Sequence, residues 1–378
     1  MSAARRTHLR FVNEAARTRC YARAIHALDL FNPAPPTGPV TLADRVNTFG
    51  QAMLRRYGER VHKIALDAGL TCPNRDGSKG LGGCTFCNNA SFNPAQAGAR
   101  TRLPAPLARQ IESGRAHIAR RTGARRFIAY FQTYTNTYDS PERLRALYDA
   151  ALAEPDMIGL CVGTRPDCVP DAVLALLADY RERGFAVWLE LGLQSSFDAT
   201  LAAVNRGHGF AEYRDAMRRA HRYRLPVCTH LIVGLPGESG RHARISLDRV
   251  LDAGTHGLKL HPLHVVRGTQ LARDYRHGRY RPLECAEYVA IAADLIVATP
   301  PEVVFHRLTG TAPAACDRSQ STSAPTCRAA RVTAATSASR PLRSWSRTSI
   351  SMYSTGGVST MASPSVWTSS PHAPPVSR

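Results

Sequence analysis

Residues 71–87 of this 378-residue chain read TCPNRDGSKGLGGCTFC, directly after an apolar, β-rich run at Val61–Asp67. The segment carries three cysteines, Cys72, Cys84 and Cys87, and four glycines that let a long loop turn sharply. Because the loop begins where a predicted strand ends, we expect it at the carboxyl edge of a parallel sheet, where α/β proteins build their active sites. The three sulphurs are therefore expected to converge at that edge.

The number of cysteines in this loop bears on which metal group it would hold. Thiolates are soft ligands that suit an iron–sulphur cluster or zinc. Structural zinc is closed by four protein ligands, whereas a cluster held by three leaves one iron open to chelate a cofactor. His62, the nearest further zinc ligand, begins the preceding strand and so lies away from the loop. The pattern favours a cluster, with structural zinc as the alternative.

Apolar runs alternate with helical patterns between about residue 46 and residue 310. Six strands are predicted, at Val61–Asp67, Phe127–Gln132, Ile158–Gly163, Ala186–Leu193, Val227–Gly234 and Gly257–Val265. The helical patterns between them include Pro141–Ala153, Pro170–Arg183, Phe210–Tyr223 and Ser246–Ala253. Such alternation is typical of parallel βαβ units with right-handed crossovers, which form either an open doubly wound sheet or a barrel.

Two terminal segments differ in composition from this central region. Residues 1–45 carry seven Arg against three acidic residues, and we expect a poorly ordered basic extension interrupted by the proline-rich stretch 32–36. Residues 311–378 contain 25 Ser or Thr but no Lys and no Glu. We expect them to be either a disordered low-complexity tail or the product of a frameshift near residue 311 in a GC-rich gene.

The net charge of +20 is due almost entirely to arginine, since 46 of the 49 basic residues are Arg and three are Lys. A basic domain suits an anionic partner such as RNA. An arginine-rich genome would give the same excess without any such partner. Charge alone does not decide between these two explanations.

Cysteine use and hydropathy indicate the compartment. Ten cysteines in a long chain without a secretory signal favour metal binding or redox chemistry over a disulfide framework. No apolar run approaches the roughly 18 residues of a membrane span. We therefore expect a cytoplasmic protein without a membrane association. Five scattered cysteines outside the loop are expected to be small core residues, namely Cys20, Cys161, Cys168, Cys228 and Cys285.

Two phrases of the loop, CPNRDG at 72–77 and GGCTFC at 82–87, resemble the cluster loop of radical S-adenosylmethionine (SAM) proteins. The C-x11-C-x2-C spacing departs from the widespread C-x3-C-x2-C motif and is similar to that of the bacterial YhcC-like group, which is related to the catalytic subunit of elongator. Further phrases resemble that group in the same order along the chain: YFQTYTNTY at 130–138, GTRPD at 163–167, LELGLQS at 189–195, NRGH at 205–208, THLIVGLPGE at 229–238 and KLHPLH at 259–264.

This resemblance implies an α/β fold, a partial (β/α)6 TIM-like barrel over residues 46–310, with irregular N- and C-terminal extensions. It also implies a 4Fe–4S cluster and reductive cleavage of S-adenosylmethionine to methionine and a 5′-deoxyadenosyl radical. The implied partners are an external electron donor of the flavodoxin or ferredoxin type and, by relationship to tRNA-modifying enzymes, RNA as a candidate substrate.

The resemblance also implies roles for residues of the loop and of the next strand end. Cys72, Cys84 and Cys87 would be the cluster ligands. Phe86 resembles an aromatic residue that packs near the adenine, although shielding of the cluster would explain it equally well. Thr135, Asn136 and Thr137 would bind the amino group of the cofactor.

Residues further along the chain complete the predicted cofactor site. Gln194 and Arg206 match positions that contact ribose and carboxylate in related enzymes, and a planar guanidinium suits a carboxylate because it donates two parallel hydrogen bonds. Glu190 alternates with apolar neighbours on a predicted strand, so its carboxylate is interior and needs a partner. We therefore expect a cofactor or substrate contact there. Arg165 and Asp167 are expected to pair with each other.

Three basic side chains on the last predicted strand, Lys259, His261 and His264, could face a substrate, although a structural role is more usual for a lone histidine. No catalytic acid, base or nucleophile is predicted. Two alternatives to an active radical SAM enzyme stay open at this point. One is a zinc-containing nucleic-acid-binding module, and the other is a radical SAM protein whose catalysis is impaired by an aberrant C-terminal segment.

Overall fold

Seven parallel β-strands lie side by side in chain order in this computed structural model, which describes residues 46–88 and 104–310. Each neighbouring pair is parallel, and the sheet curls into a half-barrel. The strands are β1 (Val61–Leu66), β2 (Arg126–Phe131), β3 (Met157–Thr164), β4 (Ala186–Gln194), β5 (Val227–Val233), β6 (Gly257–Pro262) and β7 (Val304–Arg307). The expected α/β barrel-type fold is thus confirmed.

Helices connect the strands and cover the outer face of the sheet. Parallel strands need such crossovers because each strand starts at the same edge as its neighbour. They are α1 (Phe49–Tyr57), α2 (Leu107–Thr122), α3 (Pro141–Leu152), α4 (Asp171–Glu182), α5 (Asp198–Ala203), α6 (Phe210–Arg222), α7 (Gly240–Asp252), α8 (Gln270–Arg276) and α9 (Cys285–Ala298).

Side chains alternate between the two faces of each strand. On β4, Leu189 and Leu191 pack outward into the main core with the helices, whereas Trp188 packs inward. We call the interior of the half-barrel the lumen; its inward-facing polar side chains include Lys63, Tyr130, Glu190, His230, Lys259 and His306.

Helix α1 closes the amino-terminal end of the lumen. Phe49 and Met53 join Trp188 and the first residue of β1, Val61, in one buried cluster, and the ring of Phe49 meets that of Trp188 edge-on at 6.3 Å between centroids. The segment before α1 also reaches the last strand, since the amide of Phe305 donates to the carbonyl of Asn47 at 2.7 Å. The interior is therefore covered at that end by apolar side chains.

The six predicted strands correspond to β1–β6, with differences at their ends. β6 ends at Pro262 rather than Val265, and the helix expected at 246–253 begins earlier, at Gly240. The earlier start follows from local capping, because the amide of Ser239 donates to Nδ1 of His242 at 3.1 Å. β7 and α1 were not predicted. The terminal segments 1–45 and 311–378 lie outside the described residues.

The scattered cysteines follow the expected burial with one exception. Cys161, Cys168 and Cys228 are buried as predicted, but Cys285 is only half-buried because it begins α9 at the surface. Cys20 lies outside the described residues. Among the helices of the described ranges, none has the length and apolar character required to cross a bilayer.

Candidate cofactor site at the carboxyl edge of the sheet

The cysteine loop leaves the carboxyl end of β1 and folds back on itself through main-chain hydrogen bonds. The amide of Arg75 donates to the carbonyl of Cys72 at 2.8 Å, and that of Cys87 to the carbonyl of Cys84 at 3.0 Å. Gly83 adopts φ of +80°, which a residue with a Cβ atom rarely tolerates. Glycine is thus needed next to the second cysteine for the loop to turn there.

A second segment, Val204–Gly207 after α5, holds this loop in place from the far side. The amide of Thr85 donates to the carbonyl of Val204 at 3.0 Å, and Nδ2 of Asn205 donates to the carbonyl of Gly83 at 2.9 Å. Asn74 in turn donates to the carbonyl of Asn205. The loop shape therefore depends on residues far along the chain.

The three cysteines lie in a polar and partly shielded environment. Cys84 is buried, and its sulphur has Nη1 of Arg206 at 3.5 Å and Nδ2 of Asn74 at 3.8 Å. Cys72 and Cys87 are half-buried. Burial and the neighbouring Cys84 raise the pKa of Cys87, while the guanidinium of Arg75 opposes that rise. Positive charge beside the sulphurs is what a bound thiolate requires.

The spacing of the sulphurs is wider than a single zinc ion requires. In the described ranges, the three sulphurs do not all lie within 4.8 Å of one another. Tetrahedral zinc, with Zn–S bonds of about 2.3 Å, needs sulphurs about 3.8 Å apart.

The loop after β2 presents two buried oxygens without a partner among the described residues. Nδ2 of Asn136 donates to the carbonyls of Phe131 (3.1 Å) and Gly163 (2.8 Å), which leaves its Oδ1 unpaired, and the hydroxyl of Thr135 is unpaired as well. The amide of Thr135 donates to the carbonyl of Thr71, next to the first cysteine, at 3.2 Å. These oxygens can accept hydrogen bonds from an ammonium group.

Thr137 differs from its two neighbours. Its hydroxyl bonds to that of Thr164 at 2.5 Å and donates to the carbonyl of Cys168, both within the protein. The third predicted acceptor is thus already used in joining the β2 and β3 loops. Its side chain contributes to the fold of the site, and the two oxygens at 135 and 136 are the ones available.

Gln194 and Arg206 meet at the end of β4, around Gly192. A Cβ atom at Gly192 would lie 2.9 Å from both Nη2 of Arg206 and Nε2 of Gln194, so glycine leaves the room that these side chains occupy. Nη2 of Arg206 donates to the carbonyl of Gly192 at 2.6 Å, and its buried Nε has no partner within the described ranges. An unused guanidinium donor beside the cysteine loop suits a carboxylate.

Glu190 lies in the interior as the sequence predicted, but its partners are side chains of the protein. Its carboxylate is fully buried in the lumen, and four side chains contact its two oxygens: Lys63 at 2.5 Å, Lys259 at 3.3 Å, His230 at 2.7 Å and His306 at 3.1 Å. Burial opposes ionisation, but the two ammonium groups hold the pKa of Glu190 well below its usual range. The carboxylate is therefore used within the protein rather than left free for a cofactor.

Lys259 links this carboxylate to a tyrosine across the lumen. Its Nζ donates to the hydroxyl of Tyr130 and lies 4.5 Å from the centre of that ring. Burial lowers the pKa of Lys259 to about 8, although Glu190 acts in the opposite direction. Four members of this network had no predicted role, namely Lys63, Tyr130, His230 and His306. The signal available for Lys63 is a charged residue at an inward position between Val61 and Ala65, the apolar residues on the same face of the strand.

The predicted pair of Arg165 and Asp167 is present beneath the cysteine loop. Nε and Nη2 of Arg165 each donate to one oxygen of Asp167 at 2.9 Å, and Lys79 adds a third contact at 2.6 Å. Burial opposes ionisation, but these cations lower the pKa of Asp167 to about 2. Phe86 packs against the apolar cluster that contains Leu263.

Buried histidines give the fold a specific dependence on pH. Burial lowers the pKa of His230 to about 4 and that of His256 and His306 to about 3, so all three are neutral in the folded protein at neutral pH. The unfolded chain binds these protons near pH 6.5, so stability is lost as the pH falls below that value. From pH 7 to 5.5 these three histidines alone should lower the free energy of unfolding in urea by about 4 kcal/mol. A flat profile over that range would contradict the assigned neutral state.

Two protein-family models match the chain. The Radical SAM superfamily matches residues 72–250, and the Radical_SAM C-terminal domain matches residues 255–329. The protein YhcC of Escherichia coli is 48% identical over 267 residues, which are 71% of this chain and 84% of that protein.

More distant similarities cover smaller parts of the related proteins. A tRNA uridine(34) acetyltransferase of Dehalococcoides mccartyi is 32% identical over 166 residues, or 43% of this chain and 35% of that protein. The solved structure of an Elp3 from Methanocaldococcus infernus aligns with a TM-score of 0.48 at 19% identity, covering 65% of this chain and 55% of that one.

Proposed function

The chain belongs to the radical SAM superfamily, and on that basis we propose that Cys72, Cys84 and Cys87 hold a 4Fe–4S cluster that reductively cleaves S-adenosylmethionine. The observation that carries the proposal is a complementary set of unused polar atoms beside the cysteine loop. Oxygens of Thr135 and Asn136 are free to accept, and Nε of Arg206 is free to donate, within the described residues. This set suits the ammonium and the carboxylate of an amino-acid cofactor.

The chemistry that the bound cluster and cofactor would supply is reductive cleavage of the sulphonium to methionine and a 5′-deoxyadenosyl radical. The residues of this chain would orient the cofactor and shield the reacting groups from water. Arg206 would hold the carboxylate while its other donors stay fixed on Cys84 and on the carbonyl of Gly192. Phe86, which packs against the cluster containing Leu263, would exclude water from the cysteine side, and Gln194 lies at the end of β4 beside Gly192.

The proposed partners follow from the same chemistry. We include an external electron donor of the flavodoxin or ferredoxin type, a cytoplasmic location in which thiols stay reduced, and RNA as a candidate substrate. The net charge of +20 and the similarity to a tRNA acetyltransferase support RNA. Membership of the family favours a radical enzyme over the zinc-containing nucleic-acid module.

The direct test is product analysis after anaerobic reconstitution. We expect a broad absorption near about 400 nm that dithionite bleaches, and formation of 5′-deoxyadenosine from S-adenosylmethionine. Bulk tRNA added in a parallel reaction would raise the yield if RNA is the substrate. Stoichiometric zinc without labile sulphide would refute the proposal.

The hypothesis that an aberrant C-terminal segment impairs catalysis concerns residues 311–378 and stays a prediction. The C-terminal family model matches as far as residue 329, which includes the first part of that segment. Translating the coding DNA in its other two frames is the test. A continuation similar to the family in either frame would establish a frameshift, and its absence from both would show that the tail is genuine.

Arg206→Lys is expected to weaken S-adenosylmethionine binding by about 10- to 100-fold, because the lysine keeps the charge but loses the planar set of donors. Binding is measured by calorimetry on reconstituted protein, together with iron content. Arg249→Lys is the matched control, since Arg249 also donates to a loop carbonyl, that of Ser196 at 2.7 Å. If iron content fell in parallel with binding, Arg206 would support the cluster rather than the cofactor.

A further inference from the structure

Lysine is rare in this chain, and its placement is informative. Of 49 basic residues only three are lysines, and two of these, Lys63 and Lys259, face the lumen. An ammonium is a compact charge with three donors, whereas a guanidinium is wide, planar and unable to lose its proton. In a chain that otherwise uses arginine, two lysines at the same carboxylate indicate that this space requires the smaller cation.

The charges around the lumen do not balance. Lys63 and Lys259 face a single carboxylate, Glu190, and Arg307 on β7 is close enough to lower the pKa of Lys259 further. Neighbouring His230 and His306 contribute no charge, since both are neutral at pH 7. Buried charges are normally paired. Among the described residues, the three cations thus exceed the one carboxylate by two charges, which an added anion would offset in part or in full.

Lys259 also has an N–H donor that is not used among the described residues, and two side chains of the network are partly exposed. The ammonium of Lys259 has three N–H groups, and within the described ranges two acceptors are in place, the Tyr130 hydroxyl and Glu190. The side chains of Lys63 and His230 are 17% and 14% exposed, respectively. Both side chains are thus partly exposed, whereas Glu190 is fully buried.

We propose that the lumen binds an anionic group of the substrate, a carboxylate or a phosphate, on Lys63 and Lys259. This proposal rests on the proposed function, because the cofactor site at the end of β4 would provide the reacting partner. Strands rise about 3.3 Å per residue, so Glu190 lies about 7 Å below Gly192 and about 13 Å below Gln194. An anion held at the lysines would place the rest of the substrate between the charge and that edge.

A metal ion is the competing occupant of the lumen. Glu190, Cys228 and His230 offer ligand atoms that all lie within 4.8 Å of one another. Two ammonium groups, however, already lie within 3.3 Å of the same carboxylate and would repel a cation. The same two ammonium groups attract an anion, so the electrostatics favour an anion over a metal ion in the lumen.

The scarcity of lysine makes a direct experiment available. Full-length protein labelled with 13C at the lysine ε position has three side-chain carbon signals, which Lys→Arg variants assign. Inorganic phosphate and acetate are titrated separately at constant ionic strength, with chloride as the reference and without reductant. We expect the Lys63 and Lys259 signals to shift with one of the two probes and the Lys79 signal to stay. The bound anion should also raise the pKa of Lys259 by about one to three units.

Variants test the same assignment independently. Lys259→Met and Lys63→Met should each weaken the binding of the effective probe by roughly tenfold or more, while Lys79→Met, the same change at the remaining lysine, should leave it intact. Signals that do not move, that move equally at all three lysines, or that respond equally to chloride would overturn the proposal. Since no turnover is required, these outcomes are separate from failure to form 5′-deoxyadenosine.

Discussion

Cys84→Ala is expected to abolish cluster binding and with it the formation of 5′-deoxyadenosine. Cys84 is the buried member of the triad and the one whose sulphur contacts both Arg206 and Asn74. Iron should fall from about four per chain to near zero, because two remaining cysteines cannot hold the cluster. Product formation should fall at least about 100-fold, since changes to residues behind a metal ligand already cost 10- to 100-fold.

The matched control for this prediction is Cys285→Ala. Cys285 is half-buried at the start of α9 and lies outside the cysteine loop. It should keep full iron content and product yield, with both variants folded by circular dichroism. A Cys84→Ala protein that retained iron, labile sulphide and absorption near about 400 nm would show that the cluster is held elsewhere.

Glu190→Gln is expected to be the most destabilising conservative change in the described part of the chain. The amide keeps the shape of the side chain but removes the one negative charge shared by Lys63, Lys259 and two histidines. Breaking a buried ion pair by removing one partner costs about 3–5 kcal/mol, because the other charge stays buried without compensation. Urea unfolding at pH 7.5 measures the loss.

Two further variants identify the cause of that loss. Asp215→Asn removes an exposed carboxylate paired with Arg218 and Arg219 and should cost at most about 1 kcal/mol. Adding Lys259→Met to Glu190→Gln should restore part of the stability, since it removes an uncompensated cation. If the double variant were no more stable than the single one, packing rather than charge would explain the effect.

Most of the fold could be predicted because parallel strands covered on both faces are short, continuous apolar runs. Strand β7 escaped prediction because it has only four residues, Val304–Arg307, and its pairing with β6 is irregular. Helix α1 (FGQAMLRRY) is short and mixes apolar residues with two arginines in its last turn, so its sequence does not stand out as a helix. Its role as the end of the lumen depends on tertiary contact with Trp188, which local pattern does not show.

The candidate site, too, could be predicted only in part from the sequence. Thr135 and Asn136 were predicted from a phrase that follows β2, and Arg206 from the phrase at 205–208, which follows α5; their roles stay predictions. Glu190 was recognised as an interior carboxylate, but its partners were not. They come from β1, β5, β6 and β7, and only the curvature of the sheet brings these strands around a common centre.

The hydrogen bonds between the cysteine loop and Val204–Gly207 have a consequence for maturation. Asn205 and Gly83 are 122 residues apart, so during synthesis the ligands emerge long before the segment that shapes them. A zinc finger folds around its metal, and the metal supplies the folding energy. Here the cysteine loop takes its shape from contacts with Val204–Gly207, so the chain must fold through α5 before the three cysteines reach this arrangement. A cluster held as proposed above would therefore enter a loop that is already folded.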